Sequence, residues 1–444
     1  MAPGSHLLRT LAIVAALTAL ALPDRGFAAE VTDVLDAFDF DNDNPYDLSL
    51  RLRYGQDSRT AVIAREMRCL SEDLVGNAYC PEGSRTIFAQ ELTYARTRQT
   101  FYIDARVGVH HDVELYATFP LVISDSWKHS FLEGVGHGNS SIHPANDQAA
   151  VFESDYTSQD RSGFGDMVVG LKWSPMNYYR DTAHATWVLG VEYMAPTGTP
   201  MQATNDGVGQ GIHELRFYTT ISRRALHIIE PFFNIHGNLR FGAADGLFVS
   251  QGETQVHTAP GSTVGTQFGT EIIPWEDLKQ DARVELEFGF RMDYVFRGRE
   301  YSEVWEALAS PDNPCQADEG CTNTSHSKSD LDKATQRHTI TDGVTDVEQY
   351  GQFTGWASLH YQPIKQFQLS ASFGYAVDTP HFITFGDYGE NLDNTNGVQQ
   401  ANSQDPPKNE YSPTFLPALD APGNRLRLQD AATWTLMLSI SGKL

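Results

Sequence analysis

Apolar and polar side chains alternate one by one along many short segments of this chain. In residues 284–294, Leu286 and Phe288 are apolar, whereas Glu285 and Glu287 between them are charged. Because successive side chains of a β-strand point to opposite faces, this alternation predicts a strand with one apolar face and one charged face. Such a strand cannot lie inside a protein core on both faces, since unpaired buried charges are unfavourable.

The same alternation recurs along the chain and predicts twelve strands in all. They are expected at 48–54, 101–107, 113–119, 167–173, 187–193, 215–221, 233–241, 264–272, 284–294, 353–361, 367–375 and 434–440.

The connections between these strands are alternately short and long. Short ones are expected at 109–112, 174–184, 223–228, 274–281 and 362–366, and long ones at 55 to about 90, 123–162, 196–210, 242–261, 298–349 and 378–430. An even strand number with this alternation is typical of bacterial outer-membrane proteins. The sequence therefore predicts an all-β fold, a 12-stranded antiparallel transmembrane β-barrel with short periplasmic turns and long extracellular loops.

Aromatic side chains gather near the strand ends on the apolar face, among them Tyr54, Trp173, Trp187 and Tyr193. Rings with an apolar body and a polar tip suit the two interfaces of a membrane. A soluble propeller or sandwich of twelve strands is the alternative fold. It would direct its apolar face inward.

The N-terminus predicts a secretory signal peptide at 1–29. Arg9 gives it a positive start, residues 11–22 are apolar but too few to span a bilayer as a helix, and small residues at 26–29 fit a peptidase site. The mature chain is expected to begin at Ala29 or Glu30. A periplasmic segment at 30–46, which could act as a plug, and a barrel at 47–444 complete the expected organisation, and the cell outer membrane is the expected location.

Four cysteines form two close pairs in the predicted outer loops, Cys69 with Cys80 and Cys315 with Cys321. Export to an oxidising compartment favours two local disulfides. Metal binding is the alternative, but no histidine stands at ligand spacing beside either pair.

The formal net charge of -25 argues against a nucleic-acid partner, because binding to phosphates requires a basic surface. No cofactor is implied by any motif. The expected partners are outer-membrane lipid, the barrel assembly machinery and small-molecule solutes.

One stretch resembles a known family. Residues 163–173, with the sequence GFGDMVVGLKW, and the later Pro196-Thr197-Gly198 are similar to motifs of the outer-membrane family named for the meta pathway of phenol degradation. The similarity spans roughly residues 100 to 295. It implies a barrel related to channels for small, often hydrophobic compounds. The long outer loops and the C-terminal Gly442-Lys443-Leu444, which lacks the usual terminal aromatic residue, depart from the family pattern.

The polar faces of the predicted strands carry charges of both signs, which we expect to line the lumen. They are Arg51, Arg53, Asp104, Arg106, Glu114, Asp166, Lys172, Glu192, Arg216, Arg240, Glu271, Glu285, Glu287, Arg291 and Asp293. One interpretation is a water-filled passage whose charges select what permeates. The other is a lumen partly closed by cross-strand ion pairs that hold the wall together. Twelve strands imply a narrow pore under either interpretation.

Two further motifs carry alternative chemistry. Residues 39–47 resemble the start of a calcium loop but lack its turn glycine and its final glutamate, which favours a plain acidic segment. The segment 137–143 contains serine, histidine and asparagine, the residue types of barrel phospholipases, but lies in a predicted loop that cannot fix their geometry.

Together these features predict a channel for passive uptake or efflux of small molecules, hydrophobic or aromatic ones among them, and not an enzyme. The alternatives are a structural or surface-interaction barrel whose stapled outer loops bind partners, and an outer-membrane hydrolase.

Overall fold

A closed antiparallel sheet of twelve strands forms the body of the protein in a computed structural model. The structure describes residues 30–37, 47–68, 86–142, 151–242 except 153, 179, 204, 226 and 227, 258–309 except 278, 331–332, 337–338, 343–386 and 417–443. The barrel strands, which we number first to twelfth in chain order, are Asp47–Arg68, Thr86–His110, Val113–Phe131, Met167–Met176, Thr186–Ala195, Ile212–Ser222, Ile229–Gly242, Thr263–Asp277, Ala282–Val295, Tyr350–Ile364, Phe367–Asp378 and Leu426–Lys443.

Each strand pairs with its sequence neighbours, and the first strand pairs with the twelfth from Ser49–Lys443 to Arg65–Leu426, which closes the cylinder. The predicted 12-stranded barrel is therefore confirmed. Closure leaves no sheet edge, so the ladder satisfies the backbone polar groups without water.

The outer face of the barrel is apolar and its inner face is polar, as the alternation predicts. On the ninth strand Phe288 is 47% exposed and Met292 is 40% exposed, whereas Glu287 is 8% exposed and Glu285 is 1% exposed. An apolar outer wall around a polar interior is the reverse of a soluble sandwich, and it is the surface that a lipid bilayer solvates.

The short connections lie where the sequence predicts them. Between the second and third strands the chain reverses at His111 and Asp112, and between the eighth and ninth the described turn residues are 279–281. Asp112 and Asp281 adopt positive φ values of 56° and 51° in these turns, a conformation that aspartate tolerates better than most side chains. We call this rim the short-turn end, which faces the periplasm in outer-membrane barrels.

The predicted loop boundaries at the opposite, outer end are wrong for the first three strands. The first strand continues to Arg68, the second begins at Thr86 and the third continues to Phe131, through residues expected in loops. Only about 9–11 tilted residues are needed to span the membrane, so these strands of 22, 25 and 19 residues project beyond it. Beyond the bilayer the wall no longer needs an apolar outer face, so the alternation that marks a strand fades there.

The outer projections enclose a separate apolar core. It is built from strand residues such as Ile63, Leu92 and Trp127, and from loop residues such as Phe152 and Trp305. The short helices Trp305–Ala309 and Pro417–Asp420 and the short strands Arg161–Phe164, Gly298–Glu300, Leu331–Asp332, Arg337–His338, Thr345–Val347 and His381–Phe382 complete the described elements, with a 3-10 turn at Glu30–Thr32. None of the helices in the described ranges is long and apolar enough to cross a membrane.

Candidate functional site: the interior of the barrel

Most of the charges predicted to line the lumen meet an opposite charge on a neighbouring strand. Arg53 binds Asp104 through two hydrogen bonds of 2.6 and 2.8 Å, and Arg216 lies 3.4 Å from Glu192. Lys172 lies 3.6 Å from Glu114. Because such pairs link neighbouring strands on the polar face, they stabilise the barrel wall and also place charges inside the lumen.

Two further arginines of the predicted set also meet carboxylates. Arg240 pairs with Glu214 at 2.7 Å, and Arg291 lies 2.5 Å from Asp293 on the same strand. Asp293 also accepts a hydrogen bond at 2.7 Å from His236.

Asp166 has a different environment from the rest of the set. It lies just before the fourth strand, and its two carboxylate oxygens accept hydrogen bonds from the backbone N–H groups of Gly198 and Gln210 at 2.9 and 2.8 Å. The burial of this carboxyl group raises its pKa, against the effect of those bonds. Asp166 therefore anchors a neighbouring loop at the outer end.

Aromatic side chains also lie on the polar face, over glycines of the adjacent strand. Tyr116 stands opposite Gly170 and Tyr218 opposite Gly190 in the strand register. A Cβ atom added to Gly170 or Gly190 would lie 2.3 or 2.0 Å from the facing tyrosine ring, so only glycine admits the ring against the wall. These tyrosines cannot be recognised as a group from the sequence, because the glycine opposite each one becomes apparent only once the strand register is known.

Residues 30–37 lie against the inner wall at the short-turn end. Side chains, N–H groups and one carbonyl oxygen of this N-terminal segment contact eight different strands of the closed cylinder, through Arg51, Arg106, Glu114, Lys172, Ser222, Glu271, Gln368 and Lys443. A segment that reaches strands on all sides of a cylinder lies across its opening.

Ion pairs hold this N-terminal segment in place. Glu30 binds Arg51 at 2.6 Å, Asp33 binds Arg106 at 3.0 Å, and Asp36 pairs with Arg180. Burial disfavours the charged form of Glu30 and Asp33, but the nearby cations outweigh it and lower the pKa of both carboxyl groups.

A glycine makes room for the N-terminal segment. A Cβ atom on Gly108 would lie 2.6 Å from the backbone carbon of Asp36, so a side chain there would push the segment away. The segment buries Leu35 and Ala37 almost completely, which adds apolar contact to the ion pairs.

A cavity of about 130 Å³ lies at the outer end of the interior. Its lining combines the guanidinium groups of Arg59, Arg96 and Arg98 with rings that include Trp127 and Trp305. Arg96 stacks over Trp127 at 5.3 Å, and the two tryptophan rings lie 5.8 Å apart. The cavity thus offers cationic groups and aromatic faces to anything that enters it.

Acidic groups balance the cavity arginines. Asp125 binds Arg96 at 2.6 Å and lies 3.4 Å from Arg98, while Glu303 binds Arg59 at 2.8 Å. Burial alone would raise the pKa of Glu303, but the charge of Arg59 dominates and lowers it.

The serine-containing segment at 137–143 does not assemble a hydrolase triad among the residues described. Ser140 donates a 2.6 Å hydrogen bond to Glu91, and Ser141 also binds Glu91. His137 packs against Phe131, with ring centroids 5.1 Å apart. The hydroxyl groups thus cap a carboxylate that ties the loop to the second strand.

Several predictions concern residues outside the described part of the chain. All four cysteines, residues 1–29 and most of the acidic segment 39–47 belong to this group, so the disulfides, the signal peptide and calcium binding stay predictions.

Solved structures that are similar to this one include several outer-membrane proteins. An outer-membrane channel from Pseudomonas putida F1 has 10% sequence identity and a TM-score of 0.43, over 90% of this chain and 96% of that one. A FadL homologue from Pseudomonas aeruginosa has 9% identity and a TM-score of 0.33, over 90% of each chain. TodX, a monoaromatic hydrocarbon channel, has 6% identity and a TM-score of 0.32, over 89% of this chain and 90% of that one.

No family model matches the sequence, and no curated protein matches it either. The resemblance to the phenol-pathway family therefore stays a prediction. The geometry of the molecule itself places it in the outer membrane, because a closed barrel that is apolar outside and polar inside is the form of an outer-membrane protein.

Proposed function

We propose that this barrel is a passive outer-membrane channel for small single-ring aromatic molecules, including those that carry a carboxylate. The cavity at the outer end of the interior carries this proposal, because it combines three arginines with tryptophan and tyrosine rings. Rings recognise rings through stacked or edge-on contact, and guanidinium groups bind carboxylates.

The size of the cavity agrees with this class of solute. Its volume is about 130 Å³, and a cavity of about 150 Å³ in another protein holds benzene. A single-ring compound therefore matches the space, whereas a disaccharide exceeds it.

The inner wall below the cavity carries the same two kinds of group, aromatic rings and charged side chains. Tyr116 and Tyr218 present ring faces on the polar side of the barrel, among ion pairs such as Arg216 with Glu192. A solute with an apolar ring and a polar group finds a partner for each along this surface. No energy-coupling element is required, because movement follows the concentration gradient.

Flux through reconstituted protein tests the proposal. Purified barrel in liposomes is expected to admit benzoate faster than a sugar of similar mass, and in planar bilayers it is expected to give discrete conductance steps that benzoate reduces. Trp127→Ala, which removes a cavity ring, is expected to weaken that block.

Trp275→Ala is the matched control, since Trp275 lies on the outer face with 48% exposure. Heat-modifiable mobility in gels confirms that each variant is folded. A folded barrel that stays silent in bilayers and leaves benzoate flux at the level of empty liposomes would disprove the channel. Equal block in both tryptophan variants would disprove the role of the cavity.

A further inference from the structure

Four glutamates form a compact acidic cluster inside the short-turn end. Glu230, Glu271 and Glu287 stand opposite one another across three neighbouring strands, and Glu285 lies two residues before Glu287 on the same face. All four are buried. Like charges directly opposite each other destabilise a sheet, so the cluster needs cations to be stable.

Part of that need is met within the wall. The Nε atom of Arg283 lies 3.2 Å from Glu285, and His360 lies 3.4 Å from Glu287. Ser222 donates a 2.7 Å hydrogen bond to Glu230. Arg283 and His360 supply at most two positive charges for the four carboxylates, so the described wall by itself does not neutralise the cluster.

Glu271 faces the start of the N-terminal segment instead. Its Oε1 atom accepts a 2.7 Å hydrogen bond from the backbone N–H of Glu30, and its Oε2 atom has no hydrogen-bond partner among the described residues. The side chain is fully buried, at 0% exposure. An unmatched buried carboxylate oxygen, next to an N–H donor, marks a position made for a group with more donors and a positive charge.

Signal-peptide removal would create such a group at this position. The sequence predicts cleavage just before Ala29 or Glu30, and an α-ammonium group carries one positive charge and three donors. We propose that the α-ammonium group of the mature chain is a buried cation of this four-glutamate cluster and pairs directly with Glu271. Cleavage before Glu30 makes the Glu30 nitrogen, 2.7 Å from Oε1 of Glu271, the ammonium group itself, and cleavage before Ala29 puts the ammonium one residue earlier in the chain.

The other charges of the N-terminal segment point to the same pairing. Its acidic side chains Glu30, Asp33 and Asp36 already bind Arg51, Arg106 and Arg180. Glu271 therefore contacts the one part of the segment at which maturation adds a positive charge.

An ammonium fits the cluster better than a metal ion. Within the described part of the chain, no group of three or more histidine, cysteine, aspartate or glutamate side chains is arranged to hold a metal. Before cleavage, the amide N–H of Glu30 supplies one uncharged donor, whereas after cleavage the bond becomes charge-assisted and about twice as strong. Maturation thus completes the attachment of residues 30–37 across the barrel opening.

Amine labelling of the mature protein tests this inference. Protein extracted from outer membranes is first analysed by mass spectrometry, and its N-terminus is expected at Ala29 or Glu30. A short pulse of an acetylating reagent on the folded barrel, followed by peptide mass spectrometry, then measures how fast the α-amine reacts. Glu271→Gln is expected to speed that reaction about tenfold or more, because a neighbouring carboxylate favours the charged, unreactive amine by at least that factor.

Glu276→Gln is the matched control. It makes the same change on the same strand, at a residue that pairs with Arg224 away from the cluster. Exposed Lys279 reports the general reactivity of the reagent in every sample. Unchanged labelling of the α-amine in Glu271→Gln would overturn the inference, as would a mature chain that begins elsewhere.

A second variant covers the case in which Glu271→Gln does not fold. Two glycines inserted before Glu30 keep every glutamate but move the ammonium by about 7 Å. The α-amine is then expected to label as fast as in unfolded protein, and slow labelling would overturn the inference. Because labelling does not depend on conduction, its outcome is separate from that of the flux experiments.

Discussion

Arg161 connects the loops of the outer end, and its replacement by methionine should loosen them without opening the barrel. Its guanidinium group is fully buried and binds the backbone carbonyls of Gln202, Asn205 and Gly207. It also pairs with Glu306 at 3.0 Å and stacks between two tryptophans. Methionine keeps the apolar stem of the side chain and removes the charge and the donors.

The loss of loop stability in Arg161→Met is set by the carboxylate of Glu306, which stays buried after its cation is removed. Glu306 has 1% side-chain exposure, so Arg161→Met leaves a carboxylate in the apolar outer core without its cation. Breaking a buried pair by removing one partner costs about 3–5 kcal/mol. Because a factor of ten corresponds to about 1.4 kcal/mol, the loops should open roughly a hundredfold to several-thousandfold more often.

Native-state proteolysis of the loops in detergent measures this opening, and heat-modifiable mobility reports the barrel itself. The double variant Arg161→Met, Glu306→Leu should recover most of the loss, because no unpaired charge then stays buried. Arg223→Met, the same change at an exposed position, is the control. Wild-type cleavage rates in Arg161→Met, or a double variant as labile as the single one, would refute the reasoning.

Three further changes test other parts of the structure. Gly108→Ala should displace residues 30–37, because the new Cβ atom would lie 2.6 Å from the backbone of Asp36. Proteolysis near the N-terminus is then expected to be faster than in the wild type. An unchanged proteolysis rate would contradict this prediction. Burial raises the pKa of Glu300 from 4.5 to about 7, so its neutral form stabilises the loops below pH 4.5 and that contribution is lost as pH rises through about 7. Loop proteolysis should therefore accelerate between pH 4.5 and about 7 in the wild type but not in Glu300→Gln. Identical pH profiles of the two proteins would count against a role for Glu300. Phe288→Lys places a charge on the lipid-facing wall and should reduce the free energy of folding into vesicles by about 2–4 kcal/mol, whereas no change in a denaturant titration would place this residue outside the bilayer.

The alternation of side chains was sufficient to predict the barrel. A strand has a period of two, so the sequence around Glu287 and Phe288 shows which residues share a face without any knowledge of the partner strands. The number of strands, the short turns and the polar inner face follow from this local property.

The ends of the outer strands could not be predicted in this way. Beyond the membrane, residues such as Asp57, Ser58 and Arg59 are polar on both faces, although they remain paired with the twelfth strand. Their strand conformation is fixed by hydrogen bonds to residues more than 370 positions away and by the outer apolar core.

The sequence by itself thus determined which side chains face lipid, because that choice depends on neighbours one and two residues away. Only the tertiary structure decided which polar and charged side chains contact one another inside the barrel and its outer core. The contact of Glu30 with Glu271 spans 241 positions, and that of Arg161 with Glu306 joins two different outer loops. Such pairs depend on strand register and closure of the cylinder, which bring distant residues together and leave no periodic signal in the chain.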